Sequence, residues 1–187
     1  MNRLQACTFK LFILVVTFGS SLGSQKYNSY VENYAVAHAD KPELVAQFLS
    51  NFSSSNAGEG SFFFGLYYLG SFGARVDYKA ANENFYQSCK IGFGLGCKAL
   101  ADSYMAGHGV PKSHSLAKIY YQRGAILGYG PAQLNVAFMY KNGEGCIQDI
   151  KKACYWFKEA FSKEEMSPLI NVINSKMTQL KCAENCD

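Results

Sequence analysis

Apolar positions along the chain recur at helical spacing, in short runs broken by glycine. From residue 97, Cys97, Leu100, Ala101 and Tyr104 fall on one helical face. Gly107 and Gly109 then break the pattern where positive φ is usually needed, and Pro111 suits the turn that follows. Ser113 is placed to cap a second helix, which presents Ala117, Tyr120, Tyr121 and Gly124 before Gly128 and Gly130 end it. The unit is two short antiparallel helices.

This unit repeats. Segments starting at Ser61, Cys97 and Gln133 align without gaps at a spacing of 36 residues. Tyr68, Tyr104 and Tyr140 share a column, as do Gly73, Gly109 and Gly145, and Ala81, Ala117 and Ala153. Gly65, Ala101 and Ala137 are all small; Phe85, Tyr121 and Phe157 are all aromatic; Asp77, Ser113 and Asp149 hold the same capping place. Small residues let helices approach closely and aromatics fill the space between them. A single helix pair cannot bury its apolar face alone, so the units must stack. The predicted fold is all-α: a right-handed α/α solenoid of tetratricopeptide-like helix pairs.

The flanks read as caps. Leu44, Val45, Phe48, Leu49 and Phe52 follow helical spacing, with Asp40 as N-cap and Glu43 completing a capping box. Gly58 and Gly60 lie 36 residues before Gly94 and Gly96, marking a degenerate repeat whose first helix comes from Tyr30 to His38; Ser53 to Ser55 read as an exposed connection. Leu169, Ile170, Val172, Ile173, Met177 and Leu180 make an amphipathic C-terminal capping helix.

The N-terminus is patterned differently. Arg3 and Lys10 precede the apolar run Leu11 to Phe18, and Gly19 to Ser24 is mostly small and polar. This is the order of a secretory signal peptide, cut after Gly23 with Ser21 and Gly23 at the −3 and −1 positions, or after Ser21. The run is short for a membrane anchor. Cys7 precedes it, where a lipoprotein cysteine would follow it. The segments are therefore 1–23 signal peptide, 24–60 cap with the degenerate repeat, 61–96, 97–132 and 133–165 the three repeats, and 166–187 capping helix and cysteine tail.

Composition adds constraints. Of 187 residues, 49% are hydrophobic and 17% charged, which argues against disorder. Loss of Arg3 and Lys10 with the signal reduces the formal charge of +4 to +2, a balance that does not argue for nucleic acid. Six cysteines remain: Cys89, Cys97, Cys146, Cys154, Cys182 and Cys186. An even count in an exported chain points to disulfides, in any of fifteen connectivities for six cysteines. For the last four, Cys146–Cys154 with Cys182–Cys186 is one arrangement and a Cys154–Cys182 staple another; the staple is preferred because a terminal helix gains most from being tied down. Zinc held by these thiols with His108 or His114 lacks the CxxC spacing of strong sites, so no metal or other cofactor is expected.

The repeat columns resemble the Sel1-like repeat family at Leu100, Tyr104, Gly107, Gly109, Val110, Ala117, Tyr120, Tyr121 and Ala125, and again at Asp149, Lys152, Ala153, Trp156, Phe157 and Ala160. The likeness covers roughly residues 61 to 161; Ser71 replaces the first loop glycine and Ser113 the loop Asp. Cys89 and Cys97, eight apart across a repeat junction, resemble the cysteine pair of the Hcp-type, cysteine-rich members, where the pair is a disulfide clipping successive helices. The next junction has Ala125 and Gln133 instead. The resemblance implies an adaptor that binds another protein, and some exported members serve host-cell interaction.

It also implies an alternative, because some Hcp-type proteins are linked to β-lactam binding or hydrolysis. Ser115 and Lys118 fit S-x-x-K, but chance supplies about one such match here, and neither S-D-N nor K-T-G accompanies it. His108 shares a column with Phe72 and Glu144, which reads as a solvated turn position; His38 is isolated, and Glu164-Glu165 reads as surface charge. Gly92 to Gly96 (GFGLG) lacks a preceding strand and a following G-K-[ST], so it is a repeat hinge and not a phosphate loop. Asn51 heads a glycosylation sequon. A third reading is a thiol or metal protein of an oxidising compartment.

Protein or peptide binding is the preferred function, by a non-catalytic monomer without a membrane span once the signal is removed. Solenoids usually line their concave side with the first helix of each unit. Its open face would carry Phe63, Leu66 and Tyr67, then Asp102, then Phe138 and Met139. Such an apolar row suits a peptide or helix. The bland alternative is that these residues pack between repeats, Phe63 above all.

Overall fold

The structure, a computed structural model, describes residues 31–163, 166 and 169–182. The expected signal peptide, Glu164-Glu165 and Cys186 lie outside them. Helices account for the described chain: α1 (residues 31–37), α2 (Pro42–Ser55), α3 (Ala57–Tyr68), α4 (Tyr78–Ile91), α5 (Gly94–Ala106), α6 (His114–Ile126), α7 (Gly130–Asn142), α8 (Ile150–Phe161) and α9 (Ile170–Gln179). Three second helices are capped as their sequences predict. Asp77 accepts from the backbone N–H groups of Lys79 and Ala80, Ser113 from that of Leu116, and Asp149 from that of Lys152. Helices α4, α5 and α7 end on Gly92, Gly107 and Gly143 in the left-handed region.

Helix pairs occupy 57–91, 94–126 and 130–161. Each first helix (α3, α5, α7) packs against its own second helix (α4, α6, α8), and successive first helices also touch: α3 with α5 and α5 with α7. The first helices therefore line the inner side of the stack and the second helices its outer side. The core forms two clusters, one around Phe63, Phe85 and Leu100 and one around Tyr121, Val136 and Phe157, joined through Leu95, Tyr104 and Tyr120, which pack against both. The small column sets the helix spacing. A Cβ on Gly65 would lie 2.2 Å from the Phe85 ring, so a larger residue there would displace α4 from α3.

The N-terminal cap departs from expectation twice. Helix α2 starts at Pro42, whose fixed φ suits a first helical turn, so its N-cap is Lys41, without a side-chain cap bond, and not Asp40 with Glu43. Ser53 to Ser55 belong to α2, and Asn56 alone separates it from α3. Gly60 allows this tight corner, because a Cβ there would lie 2.5 Å from the Ser53 backbone. Val31, Ala35, Val45 and Leu49 close the cluster at this end.

Equivalent positions fasten each unit to the next by different chemistry. In the column 82, 118, 154, Asn82 donates its amide to the His108 carbonyl at 2.6 Å, and Lys118 Nζ lies 4.6 Å from the centre of the Tyr140 ring. Cys154 is bonded to Cys182 beyond α9. Each contact reaches from a second helix into the following unit. At the first junction Cys89 is bonded to Cys97, with Cα atoms 4.4 Å apart. At the second, Gln133 donates its amide to the Ala125 carbonyl at 3.1 Å, so a buried hydrogen bond stands where the first junction has a covalent one. Each disulfide stabilises by limiting the unfolded chain, by about 2–4 kcal/mol.

Among the described residues Cys146 has no disulfide partner and is half-buried, while Cys186, the sixth of the expected cysteines, lies outside them. The Cys146 Sγ lies 3.7 Å from the Met139 carbonyl, and its local candidate Cys154 is turned into the core toward Cys182.

Replacing Ala125 and Gln133 together by cysteine should form a second junction disulfide. The oxidised double variant is expected to melt about 5 °C above the wild type, a gain lost on reduction. Thiol titration and thermal unfolding check it; two persistently free thiols would show that the junctions are not equivalent.

Candidate partner-binding face

One column of the first helices holds Leu66 on α3, Asp102 on α5 and Phe138 on α7; Leu66 is buried, and Asp102 and Phe138 stay half-open. Asp102 is the polar member, and two neighbours hold it. Lys98, one turn earlier, pairs with its Oδ2 at 2.6 Å. The Tyr121 hydroxyl, from α6, donates to its Oδ1. Burial of Tyr121 pushes its hydroxyl well above the usual tyrosine range, and the Asp102 charge and the hydrogen bond that the hydroxyl donates push it the same way. Asp102 thus positions α6 against α5 while half of its side chain stays open to solvent.

The remaining predicted residues divide. Phe63 is fully buried, edge-on to Phe52 with ring centroids 6.0 Å apart, and Leu66 and Met139 are buried as well. The expected continuous apolar row is therefore interrupted. At α3 the physical reason is the cap: α1 and α2 bury the residues that an interior repeat would leave open. Met139 joins the second core cluster. Tyr67 and Phe138 stay half-buried. Tyr67 stands edge-on to Tyr68 at 5.3 Å, and its hydroxyl is pushed up by burial and by the nearby Tyr68 and Glu43. Phe138 stands edge-on to Phe157 at 5.2 Å, keeping one side open.

The accessible inner face is accordingly Tyr67, Asp102 and Phe138 with the partly exposed Lys98, Ala99 and Asn135. It is mixed rather than apolar. The Tyr121 contact was legible only indirectly: an acid in a column otherwise holding Leu66 and Phe138 needs a partner, and a donor 19 residues away lies beyond any local motif.

The other candidates resolve locally. Ser115 is exposed on α6, and Lys118 is engaged over the Tyr140 ring. Exposed His108 stacks on Tyr78 with ring centroids 5.0 Å apart. Phe72, in the same column, is buried, so the expectation that this column is solvated is corrected there; the N-terminal cluster covers it. Among the described residues no helix is long and apolar enough to cross a membrane.

Known proteins match this architecture. The Sel1 repeat family matches at residues 62–93, 94–129 and 130–164. Among solved structures, a Sel1 repeat protein from Oxalobacter formigenes superposes with a TM-score of 0.61 at 19% identity, over 68% of this chain and 53% of that one. The c5321 protein, a protective antigen present in uropathogenic Escherichia coli strains and displaying an SLR fold, gives 0.57 at 27% identity, over 61% and 24%. Helicobacter pylori cysteine rich protein B gives 0.56 at 20% identity, over 70% and 96%. The chain thus spans about half of the first protein and a quarter of the second. No curated protein matches the sequence.

Removing the Asp102 carboxylate leaves the buried Tyr121 hydroxyl without its acceptor. Asp102→Ala should destabilise the fold by about 1–2 kcal/mol. Adding Tyr121→Phe should recover part of that loss, because both partners are then gone. Urea unfolding of the two single variants and the double checks this; strictly additive losses would separate the two residues.

Proposed function

Because the chain belongs to the Sel1 repeat family, we propose that it is an exported, non-catalytic scaffold whose inner face binds another protein or a peptide. The observation that carries this is the run of accessible side chains on three successive first helices: Tyr67 on α3, Lys98 and Asp102 on α5, and Asn135 and Phe138 on α7. Aromatic edges beside a charged pair suit a partner segment that offers both apolar side chains and hydrogen-bonding groups. The half-open Asp102 favours donors on the partner, such as backbone N–H groups or a basic side chain.

Export is part of the proposal. The order of charge, apolar run and small residues before Ser24 supports it, and so do two disulfides, which persist in oxidising compartments. The c5321 protein is a protective antigen, which fits a location outside the cytoplasm for a chain of this kind. The working form is proposed to be a monomer.

The test is cross-linking capture from native extract, comparing wild type with a Tyr67→Arg/Asn135→Arg variant. Both positions are partly exposed, so the variant should retain its helicity. A partner held by wild type and reduced about tenfold or more by the variant is the expected result. Equal capture by both would place the binding surface elsewhere.

A further inference from the structure

The outer side carries a second surface that partner binding at the inner face does not use. Along α6, Ile119, Arg123 and Ile126 follow one another at helical spacing, and Ile119 and Ile126 are 58% and 71% exposed. Leu127 continues the stripe past the helix end. With Gln122 these residues line a shallow hollow of about 400 Å³. The stripe extends to the neighbouring unit: Ile91 at the end of α4 is 57% exposed, a Cβ on Gly92 would lie 3.9 Å from Leu127, and Arg123 Nη2 donates to the Lys90 carbonyl at 3.3 Å. On the other flank, a Cβ on Gly128 would lie 3.9 Å from Lys163 Nζ.

The charge beside this edge is mostly basic. Lys90, Arg123 and Lys158 are exposed towards the C-terminal ends of α4, α6 and α8, with Glu159 half-buried among them, whereas Lys79, Lys151 and Lys152 stand at the opposite helix ends beside Asp77 and Asp149. Exposed Tyr86 and Tyr155 add amphipathic rings on α4 and α8. Protruding aliphatic side chains, flanking cations and tyrosines together suit an interface between water and anionic lipid.

We propose that this outer edge, centred on Ile91, Arg123, Ile126 and Leu127, docks peripherally on an anionic lipid surface. Charge decides against a second copy of the chain, which would oppose two basic faces. Shape decides against a single bound helix: the hollow lined by Ile119, Ile126 and Leu127 is shallow and confined to α6 and its C-terminal end, and Ile91 at the end of α4 lies outside its lining. A bilayer accepts separate protrusions while its headgroups meet the cations. The inner face would then point away from the lipid, free to hold its partner.

The test is co-sedimentation of the full chain with vesicles of phosphatidylcholine alone and with 30% phosphatidylglycerol. Wild type is compared with Arg123→Glu/Ile126→Asp/Leu127→Asp. All three positions are exposed, and thermal unfolding verifies that the variant folds. Both proteins carry residues 1–23, so the difference between them reads the edge alone. The expected result is binding to the anionic vesicles that falls about tenfold or more in the variant and weakens in 0.5 M salt. No preference for phosphatidylglycerol, or equal binding by the variant, overturns the proposal. Retention on polyglutamate without vesicle binding also overturns it, and would assign the edge to an acidic polypeptide.

Discussion

A helix pair of this length buries apolar surface on one side only, and the rest of the structure depends on what meets its other side. Within a unit the meeting is set by small residues: Gly65 against Phe85 fixes how closely α3 and α4 run, and Ala101 and Ala137 hold the same place in the following units. Between units the junctions carry specific bonds. Asn82, Lys118 and Cys154 occupy one column and each reaches into the next unit, by an amide, a cation over a ring and a disulfide. The repeat conserves the place of the fastening while its chemistry changes from unit to unit.

The same constraint shapes the surfaces. First helices touch one another and form a continuous inner side, where Asp102 serves both packing and exposure. Second helices form the outer side, where aliphatic residues such as Ile126 remain open. Each terminus is closed in its own way. At the N-terminus, α1 and α2 cover Phe63 and Leu66 with apolar side chains. At the C-terminus, α9 buries Ile173 and is tied to α8 through Cys182.

Much of this was legible in the sequence. The 36-residue register placed the caps at Asp77, Ser113 and Asp149 and the glycine turns after α4, α5 and α7, because these depend on local chemistry at fixed offsets, while the first helices begin at Ala57, Gly94 and Gly130, before the expected starts at Ser61, Cys97 and Gln133. Exposure was less legible. Phe63, Leu66 and Met139 sit at positions that an idealised repeat leaves open, and their burial depends on the cap and on cross-helix packing that periodicity does not encode. The corner at Asn56 failed for a similar reason: a serine run reads as loop until Gly60 lets two helices cross closely. The Asp102–Tyr121 contact joins residues far apart in the chain, and no motif spans that distance.

If fastening between nearest neighbours governs the fold, loosening one end should leave the other intact. Native-state hydrogen exchange on a Cys154→Ser/Cys182→Ser variant tests this most directly. The account predicts faster exchange in α9 and α8 and unchanged protection in α4 and α5. A uniform loss of protection from α4 to α9 would contradict it and show one indivisible core.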